Sequence, residues 1–217
     1  MALPPEQLNA QKAHFAKRTA QFAEAGYDRF GAPEFILDQA QRLVGPVLDM
    51  GTGTGITARA VAGRGHEVVG IDSSADDLQV AAALTEDRDI AGRIRYLVAD
   101  AARVPVPDGY FGSAAAVDFL HHLDAGAAVL RELLRVVRPG GLLVLADFTA
   151  EGFELISRVH AAEGRVHPQG PVTMDWARGF LAALGAAELT FACGHLHRVA
   201  VIRTPATEFR TRACRRG

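Results

Sequence analysis

The chain has 217 residues, 49% hydrophobic and 22% charged. That is length for one domain or at most two small ones, and a composition that excludes disordered, collagenous and fibrous classes. Lys plus Arg number 23 against 25 Asp plus Glu, a formal net charge of −2, so no global field draws the protein to nucleic acid or to anionic lipid. The two cysteines, Cys193 and Cys214, lack zinc or redox-pair spacing and fit a reducing compartment. With no leader-like start and no apolar run of membrane-spanning length, the expectation is a soluble, cytoplasmic protein without a membrane span.

Residues 4–44 read as two helices, because Phe15 and Phe22, then Phe35 and Ile36, recur at helical spacing with Gly26, Gly31 and Pro33 between them. From there, short runs of Val, Ile and Leu alternate with longer amphipathic stretches, the pattern of repeated β-α units. Strands are expected at 46–50, 67–71, 94–99, 112–117 and 141–148, each apolar enough for burial on both faces. Helices are expected at 54–62, 75–84 and 124–137, the last stopped by Arg138-Pro139-Gly140-Gly141. A segment punctuated by Gly152, Gly164, Pro168, Gly170 and Pro171 then leads to a helix near 173–184 and two strands near 187–192 and 196–202. The fold class is α/β, doubly wound around a mostly parallel sheet of seven strands. One domain spans 1–204: a helical cap (1–44), a ligand-binding core (45–149), a lid over the acceptor side (150–185) and terminal strands (186–204). Residues 205–217, with Arg210, Arg212, Arg215 and Arg216, read as a solvated tail.

The most specific feature is Val47-Leu48-Asp49-Met50-Gly51-Thr52-Gly53-Thr54-Gly55, a strand that runs into a glycine loop opening a helix. Glycines allow the sharp turn and let a ligand touch bare backbone, while the helix start offers N–H groups. Asp72, about twenty residues on at the end of the next strand, suits a ribose diol. Asp100 ends the strand after that in the same way, and three acids on one rim are hard to explain by packing.

These motifs, with the His121-His122 pair after the fourth strand and Leu130 to Gly141 ending in Arg-Pro-Gly-Gly, resemble the class I S-adenosylmethionine-dependent methyltransferases. Within them, the small-molecule branch that includes the ubiquinone and menaquinone C-methyltransferases is nearest. The resemblance covers residues 44–149 and implies the Rossmann-like methyltransferase sheet with an antiparallel last strand. It also implies S-adenosyl-L-methionine as cofactor, with Asp49, Met50, Gly51, Thr52, Gly53 and Gly55 around the methionine part and Asp72 and Ser73 at the ribose. Asp100 and Ala101 would sit at the adenine, Asp118 and Phe119 on the methionine side, and Tyr27, followed by Asp28, matches a Tyr-Asp pair near the cofactor in the quinone branch. A nicotinamide-dependent oxidoreductase is the alternative, since Gly53-Thr54-Gly55-Ile56-Thr57-Ala58 fits G-x-G-x-x-A formally. Asp49 argues against it: its charge repels a pyrophosphate and attracts a sulfonium. A non-catalytic S-adenosylmethionine-binding protein would carry the same loop.

Methyl transfer is an in-line displacement that needs alignment and exclusion of water, and a base only where the acceptor carries a proton. His121, just past the fourth strand, is the candidate base; helix capping by one of the pair is the competing role. Phe15, Phe22, Tyr27, Phe30, Phe153 and Trp176 are candidates to line an apolar acceptor pocket. His160, Glu163 and His167, with His195 and His197 alternating onto one strand face, can be assembled into a two-His, one-carboxylate set, but methyl transfer needs no metal and none is expected. The partner expected is a small-molecule acceptor, not nucleic acid.

Overall fold

The computed structural model describes residues 2–207. In chain order the elements are α1 (Pro5–Glu24), α2 (Gly31–Asp38), β1 (Val47–Met50), α3 (Ile56–Gly63), β2 (Val68–Asp72), α4 (Ala75–Ala83), α5 (Arg88–Ala91) and β3 (Ile94–Val98). They continue with β4 (Phe111–Val117), a 3₁₀ turn (Leu120–His122), α6 (Gly126–Val136), β5 (Val137–Phe148), α7 (Ala150–Ala162), α8 (Met174–Ala183), β6 (Ala187–Gly194) and β7 (His197–Arg203). Among the described residues the strands form one seven-stranded sheet of order β3-β2-β1-β4-β5-β7-β6. β1 through β5 pair in parallel, and β7 runs antiparallel to both β5 and β6.

Chain order reverses between β1 and β4, so their carboxyl ends diverge and open a crevice there, where open α/β sheets take ligands. Leu48, Met50 and Ile71 pack with the α6 face of Leu130, Leu133 and Leu134 on one side of the sheet. Val47, Ala58, Val61 and Val144 pack with Ile36 and Leu37 of α2 on the other. A third cluster joins Phe22 and Tyr27 to Phe148 of β5 and Leu155, Ile156 and Val159 of α7. The amino-terminal helices thereby form a wall of the crevice.

Three local expectations change. The Pro-Gly-Gly segment does not lie beyond the helix as a simple stop: α6 ends at Val136, and β5 begins at once. Pairing with β4 then jumps from Phe111↔Val137 to Ser113↔Leu142, so residues 138–141 bulge out of the ladder, with Gly140 at φ +72. Strand β3 is the sheet edge, and its Val98 is 53% exposed; apolar composition did not mean burial on both faces. His195 does not share a strand face with His197, because His195 and Leu196 both take positive φ and turn β6 into β7. The Arg-rich tail beyond residue 207 lies outside the described residues.

The loop between β3 and β4 is fastened to α6 by a buried ion pair. Glu132 accepts from the backbone N–H of Val104 at 2.6 Å and from Arg135 Nε at 2.8 Å. Arg135 in turn donates to the carbonyls of Val104 and Val106, both at 2.9 Å. Removing Glu132 leaves the buried Val104 N–H without its acceptor, while Arg135 keeps Asp108 and the two carbonyls. Glu132→Ala is therefore expected to lose about 2 to 4 kcal/mol of stability by urea denaturation, with the sheet signal of the native state unchanged.

Candidate functional site

The glycine loop is held from behind and from the side. Gly51 and Thr52 donate their N–H groups to the Ile71 carbonyl at 3.0 and 2.9 Å, and Gly53 donates to Asp72 Oδ2 at 2.9 Å. Asp72 Oδ1 accepts from Ser74 N at 2.9 Å, while the cap of α4 is Ser74, whose side chain accepts from Asp77 N. Each Asp72 oxygen keeps a further lone pair for a ligand. Gly51 has φ +72, and a Cβ there would fall 2.2 Å from the Phe119 ring; only glycine fits beneath that ring. Gly53 also has positive φ, and a Cβ on it would meet nothing within 4 Å. Its backbone is bare toward open space.

Asp49 lies behind this loop, 1% exposed, with Thr52 Oγ1 donating to its Oδ2 at 2.5 Å. Burial raises its pKa to about 6 against these hydrogen bonds. Met50 is in the core and Gly55 packs against Tyr96 and Ala81. These three positions shape the loop rather than border the cavity. The others do border it: a cavity of about 980 Å³ is lined by Tyr27, Gly51, Thr52, Gly53, Asp72, Ser73, Asp100, Ala101, Asp118, Phe119 and His121.

Two arginines of the amino-terminal region, Arg18 on α1 and Arg29 in the turn before α2, face the same cavity. Arg29 lies over the rings of Phe15 and Phe22 at 4.8 and 5.2 Å, with Thr19 Oγ1 as hydrogen-bond acceptor. Burial lowers its pKa to about 10, and among the described residues it forms no ion pair. Arg18 sits beside His160 and, at 3.6 Å, Glu163. His197, fully buried, donates to Asp118 Oδ1 at 2.8 Å and to the His195 carbonyl at 2.6 Å. Burial opposes a charge on this ring, but the Asp118 carboxylate outweighs it and holds the pKa above the ordinary histidine value.

The His pair does not cap α6. His121 is 3% exposed, and Asp147, near the end of β5, accepts from its backbone N–H at 3.1 Å and from Nδ1 at 2.6 Å. Nε2 is thereby turned toward the cavity with a lone pair, and His167 Nε2 lies 3.1 Å from it. Burial lowers the pKa of His122, and lowers that of His167 to about 4. Neutral rings are the outcome. A second chamber of about 650 Å³ meets the first at His121 and Phe148 and is lined further by Phe153, Arg158, Met174 and Arg198. Of the aromatics expected at an acceptor pocket, Phe153 lines this second chamber and Phe22 and Tyr27 the first, whereas Trp176 stacks on Phe180 and Phe15 meets Phe30.

Arg29, Asp147 and the approach of His167 to His121 escaped sequence reasoning. A lone acid in the apolar run 142–148 was the available signal for Asp147, since a buried carboxylate must find donors.

Sheet order, a reversed last strand and a glycine loop facing an acid at the tip of β2 define the Rossmann-like fold of the class I S-adenosylmethionine-dependent methyltransferases. Residues 48–145, a little under half of the chain, match the model of a methyltransferase domain family. The chain is 32% identical over 117 residues to the ubiquinone/menaquinone biosynthesis C-methyltransferase of Ectopseudomonas mendocina, covering 52% of this chain and 46% of that protein. It is 34% identical over 119 residues to the O-methyltransferase resE of Aspergillus sclerotiorum, covering 52% and 45%. Among solved structures, a SAM-dependent methyltransferase of Methanosarcina mazei superposes with a TM-score of 0.65 at 18% identity, over 79% of this chain and 98% of that one. The matched segment spans about half the length of these two curated relatives.

Asp49 sets a pH test. Its pKa is raised on folding, so between about 4 and about 6 the native state holds more protons than the unfolded chain, and stability from this group falls as pH rises through that window. Relative to Asp49→Asn, the wild type is expected to lose about 2 to 3 kcal/mol from pH 4 to pH 7, read as diverging urea midpoints. Parallel midpoints would show that Asp49 does not titrate in this range.

Proposed function

We propose that the protein transfers a methyl group from S-adenosylmethionine to a small-molecule acceptor. The observation that carries this is the bare Gly53 backbone facing the cavity, clamped to Asp72 and backed by the buried Asp49 carboxylate. The cofactor supplies a methyl group on a cationic sulfur, and the residues present suit it. Gly51, Thr52 and Gly53 would receive the methionine part, Asp72 and Ser73 the ribose, and Asp100 and Ala101 the adenine. Tyr27, Asp118 and Phe119 would wall the methionine side, where the Arg29 guanidinium meets the methionine carboxylate. A dinucleotide is disfavoured because its pyrophosphate would lie beside Asp49.

On the acceptor side, His121 is the catalytic residue of this reading: with Nδ1 donated to Asp147, its Nε2 faces the cavity against His167 Nε2 at 3.1 Å, and an acceptor's polar atom reaches it by displacing that ring. It takes the acceptor's proton as a general base. The even charge balance supports a partner other than nucleic acid, and no helix of the described residues is long and apolar enough to cross a membrane. Low cysteine content supports a reducing, cytoplasmic setting.

The test joins a binding arm to a turnover arm. Asp72→Ala is expected to weaken S-adenosylhomocysteine binding by about 1 to 3 kcal/mol in calorimetry; undiminished affinity would remove Asp72 from the site. His121→Ala is expected to keep that affinity and lower turnover by roughly 10² to 10⁴, measured with labelled donor on the acceptor found by mass spectrometry in a panel of phenols, thiols, amines and carbon acids. Cofactor binding with no acceptor in any class would instead favour a binding protein.

A further inference from the structure

His121, His122 and His167 each present a ring nitrogen within 4.8 Å of the other two. They come from two segments, the 3₁₀ turn after β4 and the connection between α7 and α8. Those segments are fastened to each other: Gly170 N donates to the His121 carbonyl at 2.7 Å, and a Cβ on Gly170 would strike the carbonyls of Leu123 and His121 at 2.8 and 3.0 Å. The approach of the rings is therefore built by backbone contact, not by loose side chains.

We propose that these three histidines form a site for one divalent first-row transition ion of the zinc class, with its open position facing the methyl acceptor. This rests on the reading of the cavity as a methyl-transfer site, with His121 then acting through the ion as its ligand rather than as a free base. Imidazole nitrogens suit Zn²⁺, Co²⁺ and Ni²⁺ and not Mg²⁺, which requires oxygen. Three protein ligands with a fourth place left open are the arrangement of catalytic zinc. At metal–nitrogen distances of about 2.1 Å, the 3.1 Å between His121 Nε2 and His167 Nε2 spans an angle near 90°, within reach of a distorted tetrahedron. His122, exposed, has the freedom to swing in as the third ligand.

The second layer is already in place. Asp147 holds Nδ1 of His121 at 2.6 Å, the carboxylate–histidine–metal relation that fixes tautomer and ring direction. On the far side of His167 lies His160, ring centroids 4.7 Å apart, and its Nδ1 is buried without a hydrogen-bond partner among the described residues.

Such an ion narrows the acceptor to a hydroxyl- or thiol-bearing molecule. The acceptor's oxygen or sulfur binds the open position and releases its proton to water. The electron pair of that anion forms the new bond to the methyl carbon as the carbon–sulfur bond of the donor breaks, and the breaking pair stays on the donor sulfur, which becomes neutral.

The experiment uses the full chain, stripped with a chelator and titrated with Zn²⁺, Co²⁺ and Mg²⁺ by calorimetry, with Co²⁺ also followed by its visible absorption. One Zn²⁺ or Co²⁺ per chain is expected, with four-coordinate cobalt bands and no comparable Mg²⁺ binding. His167→Ala and His167→Gln are both expected to weaken the ion at least tenfold, and Asp147→Asn by roughly 10- to 100-fold, while His14→Ala on α1 leaves it unchanged. Thermal melts identify any variant that fails to fold, and the remaining ones decide. Equal affinity in the His167 variants, or no Co²⁺ spectrum, would overturn the site. Undiminished turnover of a stripped enzyme would overturn its part in activation. Titration of the stripped chain with S-adenosylhomocysteine keeps the two readings apart: loss of that binding strikes the methyl-transfer reading, and the metal titration strikes only this one.

Discussion

A carboxylate taken out of water must be given donors, and Asp147 meets that requirement in a way that organises the turn after β4 and the end of β5. Its two oxygens accept from the backbone N–H groups of His121 and Phe148 and from the His121 ring. One buried side chain thus ties the turn after β4 to the end of β5, fixes which nitrogen of His121 is free, and aims it into the crevice. The neighbouring strand end repeats the device, with Asp118 holding His197 between β4 and β7. Two acid–imidazole pairs side by side make this end of the sheet polar where its middle is mostly apolar.

The donor side depends on the same principle with backbone in place of side chains. Asp49 and Asp72 are the two acids nearest the glycine loop, yet they do different things. Asp49 is sealed behind the loop and acts through Thr52, whereas Asp72 stands at the tip of β2, half-exposed, and supports Gly53 directly. Burial separates their roles.

Much of the frame is legible in the sequence because it is local. Strand and helix positions follow from apolar runs and glycine punctuation, and the loop from 51 to 55 announces itself by composition. Contacts across long chain separations are not legible: Asp147 to His121 spans 26 residues and His167 to His121 spans 46. His195 and His197 look like neighbours on one strand because nothing in their spacing shows that His195 and Leu196 adopt the left-handed backbone of a tight turn. Helix α7 was read only as part of a lid, since Gly152 and Gly164 frame it; Thr149, accepting from Gly152 N, caps the helix and explains the glycine so near its start.

The two chambers that meet at His121 and Phe148 have a kinetic corollary. The first is bordered by the glycine loop and the amino-terminal helices, the second by α7 and the stretch leading into α8. Under the proposed methyl transfer, the spent nucleoside would lie in the first chamber, and the altered small molecule, held at His121, could leave past Phe148 through the second. Neither has to wait for the other to depart, so this layout suits a random order of product release rather than a compulsory one.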